Sequence, residues 1–421
     1  MQLSKIDQQN IWHPFTQHQT AGENLVIVKG KDTILIDENG NEYIDAVSSW
    51  WTNLFGHCNE HIANSVKKQL DELEHVIFAG FSHPSAIELS KKLLQILPKN
   101  QSKIFFSDNG STCVEVAIKM AIQFWYNQNQ PKTTIIAFKN AYHGDTFGAM
   151  SVGARGSFNQ PFESFLFDVE FIDLPNESNF EAIQSQFHQI ITQKNVAAFI
   201  FEPLIQGSAG MLMYEAKFLD KLVEIAQQNQ VICIADEVMT GFYRTGKIFA
   251  TDYLTNKPDI FCLSKGITGG FLPLGITTCT QQIYEAFLSS DKLKTFFHGH
   301  SYTGNPLACA AACASLDLIN DAQLTINNLV EWQSHYLSKL KSNPKIENVR
   351  QTGTIAAFDV KSEASSNYFN NIRDFLYDNF IKRGVLLRPL GNTVYVLPPY
   401  VITKEQLQKV YDVIGEVLEL I

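Results

Sequence analysis

Short apolar runs alternate with helical patterns through the middle of the chain. The runs are Ile104–Phe106, Ile135–Phe138, Val196–Phe201, Val231–Ala235, Ile260–Leu263 and Leu274–Thr278. Most are apolar throughout rather than at every second position, as in parallel strands covered on both faces. Between them, stretches such as Val114–Trp125 and Phe218–Gln228 carry apolar residues at helical spacing. The alternation predicts an α/β unit, a mostly parallel sheet flanked by helices. From about Leu316 the character changes. Long polar helices and short strands around Thr354–Val360, Val385–Arg388 and Val394–Leu397 predict a smaller α+β domain. The expected division is an N-terminal segment of the small domain (1–50), a large domain (51–315) and the C-terminal small domain (316–421).

Composition adds limits. With 421 residues the chain suits two to three units. Apolar residues make up 45%, which excludes general disorder. Charged residues are only 18% and aromatic residues 12%, which points to surface covered by a second subunit. The net charge of −10 argues against a nucleic-acid binder, which needs basic patches. No apolar run is long enough to span a membrane, and MQLSKIDQQN lacks the apolar core of a signal peptide. The cysteines form no CxxC pair, and Cys309 and Cys313 sit four apart in an Ala-rich stretch that reads as helix packing. A reduced, cytoplasmic protein is expected.

The residues that follow the strands carry the chemistry. Asp108-Asn109-Gly110-Ser111-Thr112, Asn140-Ala141-Tyr142-His143-Gly144, Glu202, Asp236-Glu237-Val238 and Ser264-Lys265 each stand just past an apolar run. Ligands of open α/β sheets bind outside the carboxyl ends of the strands, so these five clusters describe one site. Lys265 has two readings. Desolvated, its amine has a depressed pKa and can form a Schiff base; otherwise it buries its stem and sends its charge to water. Asp236 is either a helix cap or the partner of a buried cation, such as the pyridine nitrogen of pyridoxal phosphate (PLP). Val238, two residues on, would share its face and pack on such a ring. Lys265 follows Asp236 by 29 residues, about one strand and crossover, which favours the paired reading. Gly110-Ser111-Thr112 opens a helix whose free N–H groups can cradle a phosphate, and Thr112-x-x-Glu115 fits a capping box. Tyr142 could stack on a flat ring or simply pack. His298 and His300 form an HxH pair without a supporting ligand set, so no metal is expected.

The stretches SDNGSTCVEVAIKMA, NAYHGDTFGAMS, FIFEPLIQG, IADEVMTGFYRTGK and PDIFCLSKGITGG resemble the fold-type I, class III PLP-dependent aminotransferases. The resemblance runs over nearly the whole chain. It implies Lys265 as the Schiff-base lysine, Asp236 as the partner of the pyridine nitrogen and Tyr142 as the stacking ring. Gly110 and Ser111 are implied as phosphate ligands. Finer features resemble one branch of the family, which aminates 8-amino-7-oxononanoate with S-adenosylmethionine to give 7,8-diaminononanoate for biotin. These are the Trp12-His13-Pro14-Phe15 segment, Ser48-Ser49-Trp50-Trp51, His298-Gly299 with Gly304-Asn305-Pro306, and Leu387-Arg388-Pro389. They imply a homodimer with shared active sites, Phe15, Trp50 and Trp51 facing substrate, and Arg388 holding the acceptor's carboxylate. Gly299, His300 and Ser301 are implied to reach the neighbouring subunit's site.

Three positions depart from the family. Phe15 stands where Tyr is frequent, and His300-Ser301 where Pro-Thr is frequent. Ser208 stands where relatives that use 2-oxoglutarate carry Glu, so it cannot neutralise Arg388 by an ion pair. Lysine as donor, an ω-amino-acid:2-oxoglutarate or pyruvate transaminase, and a PLP sensor without turnover are the competing readings. Ser208, the WHPF segment and the Trp pair count against the ω-transaminase.

Overall fold

A computed structural model describes residues 3–361 and 372–421. Its centre is a seven-stranded sheet. From one edge the order is Gln101–Ser107, Gly275–Thr280, Ile260–Leu263, Ile232–Asp236, Val196–Phe201, Thr134–Phe138 and Glu170–Ile172. Ile232–Asp236, Val196–Phe201 and Ile260–Leu263 are buried at every position, which is why they read as unbroken apolar runs. The sheet is parallel except for Gly275–Thr280, antiparallel to both neighbours. The link from Leu263 to Gly275 is too short for a crossover helix, so the chain must return antiparallel. The edge strand Glu170–Ile172 was not predicted; three residues are too few for a hydrophobic period to show.

Three smaller sheets accompany this core, one of them only the two-stranded pair Ile205–Gln206 and Leu212–Met213. Ile27–Lys31, Ile34–Asp37 and Glu42–Asp45 form an antiparallel meander, and Val385–Leu386 joins it parallel to Glu42–Asp45. The strand expected over Val385–Arg388 thus ends two residues early. Ile346–Thr352, Ile355–Val360 and Thr393–Val396 form the remaining sheet. Helix Lys404–Glu419 turns a buried stripe, including Leu407, Val410, Ile414 and Val417, toward helix Gln323–Leu340. Helix Pro306–Asp321 buries Cys309 among its alanines and packs on Glu60–Glu72 and Pro84–Ile96. No helix among the described residues is long and apolar enough to cross a membrane.

The helix after the first sheet strand runs Gly110–Asn127, and its cap differs from expectation. Asn109, not Thr112, is the N-cap: its side chain accepts from Thr112 N at 3.0 Å and Thr112 Oγ1 accepts from Asn109 N at 3.1 Å. The helix begins at Gly110, so Thr112 already lies inside the first turn. Glu115 reaches another helix start instead, where its Oε1 accepts from Gly148 N at 2.7 Å and Ala149 N at 3.1 Å.

Candidate active site

The strand-end clusters meet around one cavity of about 1040 Å³. Gly110, Ser111, Tyr142, Asp236, Val238 and Lys265 all line it, as do Phe15, Trp50 and Trp51. Arg388 lies just beyond the wall, its guanidinium carbon 4.7 Å from the Trp50 ring centre. Gly299, His300 and Ser301 lie apart, on a loop outside the cavity of their own chain.

Asp236 is 5% exposed at the end of a central strand. Its Oδ1 accepts from Val238 N at 3.1 Å, and its Oδ2 lies 2.6 Å from His143 Nδ1. That pairing crosses 93 residues of sequence, and no local pattern announces it. In the sequence Glu202 is recognisable only as a strand-end polar group. Its carboxyl joins two cavity loops, accepting from Tyr142 N at 2.9 Å and Gly207 N at 3.0 Å. Burial pushes its pKa up to about 7. Glu237, beside Asp236, turns the other way and takes hydrogen bonds from Thr240, Ala250 and Thr251.

Lys265 opens the turn Lys265–Thr268 in a left-handed conformation, φ 47°. The cavity leaves part of the side chain accessible. Desolvation by the surrounding protein lowers the amine's pKa, against the opposing pull of Asp236 and Glu202. Its Nζ lies 4.8 Å from the Trp51 ring centre. Tyr142 donates its hydroxyl to Asp145 at 2.9 Å; burial, and then that carboxylate, hold its pKa well above the usual range.

These residues fit PLP. A cationic ring nitrogen would find a partner in the buried carboxylate of Asp236, and an anionic phosphate would find one at the N-terminus of an 18-residue helix, at Gly110 and Ser111. Close packing among the loops of that cradle requires glycine at two places. A Cβ on Gly144 (φ +130°) would collide with Ser111, and one on Gly110 would lie 2.9 Å from Val238 Cγ1. No group of three or more His, Cys, Asp or Glu side chains suited to a metal occurs among the described residues.

The aromatic wall of the cavity stands on an unusual turn. Ser48, Ser49, Trp50 and Trp51 have φ of 52°, 45°, 68° and 73°, four consecutive left-handed residues without a glycine. Such a run costs about 1–2 kcal/mol per residue, so the surroundings must hold it. Trp51 is buried, its carbonyl accepting from Arg244 at 3.1 Å. Trp50 is 39% exposed and meets the edge of Phe15 at 5.6 Å between ring centres. Phe15 in turn approaches Phe158 at 6.4 Å. Apolar rings thus run along one side of the cavity and end at Arg388.

Comparison with known proteins accounts for this arrangement. Residues 16–418 match the family model for class-III aminotransferases. The chain is 48% identical to the adenosylmethionine-8-amino-7-oxononanoate aminotransferase of Synechococcus elongatus, over 97% of this chain and 98% of that protein. The crystal structure of the enzyme of the same name from Methanocaldococcus jannaschii superposes with a TM-score of 0.93 at 36% identity, covering 99% of this chain and 98% of that one. An amine transaminase from an uncultivated Pseudomonas species, solved in a PLP-bound form, gives 0.91 at 29% identity over 98% of both chains. The chain belongs to the class-III aminotransferases.

Proposed function

We propose that this aminotransferase uses PLP to move an amino group from S-adenosylmethionine to 8-amino-7-oxononanoate, giving 7,8-diaminononanoate for biotin. The names of its near relatives support the reading. The observation that carries it is the aromatic wall of Phe15 and Trp50 leading from the Lys265 side of the cavity to Arg388. An aliphatic chain can lie along such a wall with its carboxylate at the guanidinium.

PLP, when bound, supplies an aldehyde to carry nitrogen and a ring to take up electrons. The chain does the rest. Lys265 Nζ is the amine that holds the group and, once released, moves the proton at the reacting carbon. Its lowered pKa favours the neutral form that this work requires. Asp236 balances positive charge on the ring nitrogen. Tyr142 covers the ring, and Gly110 and Ser111 hold the phosphate. Trp50, Trp51 and Phe15 exclude water along the acceptor's chain. Ser208 places no carboxylate in the cavity to compete for Arg388.

The reading includes a homodimer in which Gly299, His300 and Ser301 serve the other subunit's site. Phe297 and Tyr302 on the same segment are 68% and 66% exposed in the single chain, which supports a covering subunit. The units 1–50, 51–315 and 316–421 remain our domain division. A cytoplasmic location accords with seven free cysteines.

The direct test offers 8-amino-7-oxononanoate with either S-adenosylmethionine or lysine and detects the diamine by mass. Product with S-adenosylmethionine is expected. Single-turnover spectra should show it aminating the cofactor faster than lysine does. The hydroxyl missing at Phe15 is no obstacle, since one hydrogen bond contributes about 0.5–1.5 kcal/mol, and Phe15→Tyr should change efficiency by at most about tenfold. Rapid conversion by lysine and none by S-adenosylmethionine would overturn the donor and leave the acceptor reading intact.

Arg388→Ala should damage the acceptor half-reaction selectively. A charged hydrogen bond contributes about 1.5–3 kcal/mol, so acceptor kcat/KM should fall roughly tenfold to more than a hundredfold. The donor half-reaction, followed by cofactor absorbance, should change much less. Equal losses in both halves would mark Arg388 as a structural residue.

A further inference from the structure

The left-handed turn that carries Trp50 and Trp51 is held at three buried points: Ser48 Oγ donates to Leu397 O at 2.7 Å, Arg244 donates to the Trp51 carbonyl, and Asp45 gathers the N–H groups at the start. Asp45 is 0% exposed and ends the strand Glu42–Asp45. Its Oδ1 accepts from Val47 N at 3.1 Å and Ser49 N at 3.0 Å, and its Oδ2 accepts from Ser49 Oγ at 2.8 Å. His57 Nε2 completes the set at 3.0 Å from Oδ2. Asn53 Nδ2 lies 3.2 Å from His57 Nδ1 and can only donate there, which leaves the imidazole proton on Nε2 to face Asp45. Both carboxylate oxygens are therefore committed to the start of the turn.

The same strand end also sets Arg388. Asp45 is the register partner of Leu386, two residues before Arg388, and Ala46 N donates to Leu386 O at 3.2 Å. From this rung one chain turns left-handed to present Trp50, and the other continues to Arg388. The two side chains meet again 4.7 Å apart. We infer that Asp45 is a positioning residue for the acceptor end of the cavity: by holding the left-handed turn it sets the face of Trp50 against which Arg388 and the carboxylate end of the acceptor are aligned. The inference rests on the acceptor reading given above.

Trp50 should feel the loss of Asp45 more than Trp51. Arg244 holds the Trp51 carbonyl independently, and its ring packs edge-on to Tyr395 at 6.1 Å. Trp50 has its ring contacts at the exposed rim and the turn beneath it. Damage should therefore fall on carboxylate recognition and spare Lys265.

The test compares wild type, Asp45→Ala, Asp45→Asn and the double variant Asp45→Ala/Ser49→Gly as PLP-loaded proteins. The probe is nonanoate, a carboxylate chain without the reacting ketone, its binding measured by calorimetry. Acceptor KM and the donor half-reaction are measured alongside. Asp45→Ala removes all four contacts and, with the loss passed on through the turn amounting to about 1.4 kcal/mol at the acceptor end, should weaken nonanoate binding and raise acceptor KM by about tenfold, with the donor half-reaction within about threefold. Glycine enters the left-handed region without steric cost, so the double variant should return nonanoate affinity to within about threefold of wild type. Asp45→Asn keeps one carbonyl oxygen for the Val47 and Ser49 N–H groups and should fall between; it is read in the same way if the alanine variant does not fold. Unchanged nonanoate affinity in Asp45→Ala, no gain in the double variant, equal loss in both half-reactions, or no nonanoate binding by wild type would each overturn the inference. Failure of wild type to aminate the oxononanoate would overturn the acceptor reading instead, and the nonanoate measurements would still report on Asp45.

Discussion

Replacement of Lys265 by alanine is expected to leave a folded protein that holds PLP without a covalent link and carries out no sustained transamination. The backbone argument favours folding. Lysine and alanine both bear a Cβ, so the left-handed φ of 47° is no more strained in the variant. The side chain's surroundings are the cavity and the Trp51 face, and Asp236 and Glu202 act on the amine at longer range than a direct ion pair and keep their own hydrogen bonds in the variant. The chemical argument predicts a large loss. In the proposed role the amine is the base that moves the proton at the reacting carbon, and a positioned base alone accounts for about 10²–10⁴-fold in rate. Its covalent role adds to that. Multiple-turnover assays should fall by at least a factor in this range. A small primary amine added to the solution should restore part of the activity, because it can enter the cavity and take up the proton. Wild-type turnover in the variant, or a melting temperature so low that the protein is unfolded in the assay, would contradict the assignment.

How far the site could be read before the fold was known depended on the reach of each contact. Asp236, Val238 and Lys265 were legible because each follows a fully buried strand, where a polar residue has few other reasons to stand. The two-residue period also separated Asp236 and Val238 from Glu237, whose carboxyl turns away to Thr240, Ala250 and Thr251. The link from His143 to Asp236 and the tie from Glu202 to both Tyr142 and Gly207 were not legible. They join different strand ends, and sequence spacing carries no information about which loops meet. The Thr112-x-x-Glu115 pattern misled for a related reason. The motif describes one helix, whereas Glu115 caps the start at Phe147–Ser151 and Asn109 caps its own. Asp45 carries no signal in the sequence, because nothing in Ser48-Ser49-Trp50-Trp51 marks a left-handed path. Glycine is the usual marker of positive φ, and none is present. The antiparallel strand Gly275–Thr280 shows the same limit: its composition suits a sheet interior, and only the short return from Leu263 decides its direction.

Asp236→Asn should weaken catalysis far more than folding. The amide can keep much of the local geometry. Its oxygen can still accept from Val238 N, 3.1 Å from Oδ1 in the wild type. Its nitrogen would then face His143 Nδ1, which must present a lone pair and carry its proton on Nε2. His143 Nε2 is buried without a hydrogen-bond partner among the described residues, so this tautomer is unfavourable but not excluded by a clash. A stability loss of about 1–2 kcal/mol follows from one poorly satisfied polar atom. The catalytic loss has a different origin. Asp236 is 5% exposed, and in so dry a place the full negative charge proposed to face the ring nitrogen could not be replaced by an amide dipole or by water. Preorganised groups that meet charge developing in a reaction contribute roughly 3–4 kcal/mol each, so kcat should fall at least about a hundredfold. Thermal melts and steady-state rates on the same preparation separate the two effects. A variant that melts within a few degrees of wild type and turns over a hundredfold more slowly matches the electrostatic role. Near-wild-type turnover, or a rate loss that tracks the loss of folded protein, would show that Asp236 is there to hold His143 and the strand end rather than to serve the reaction.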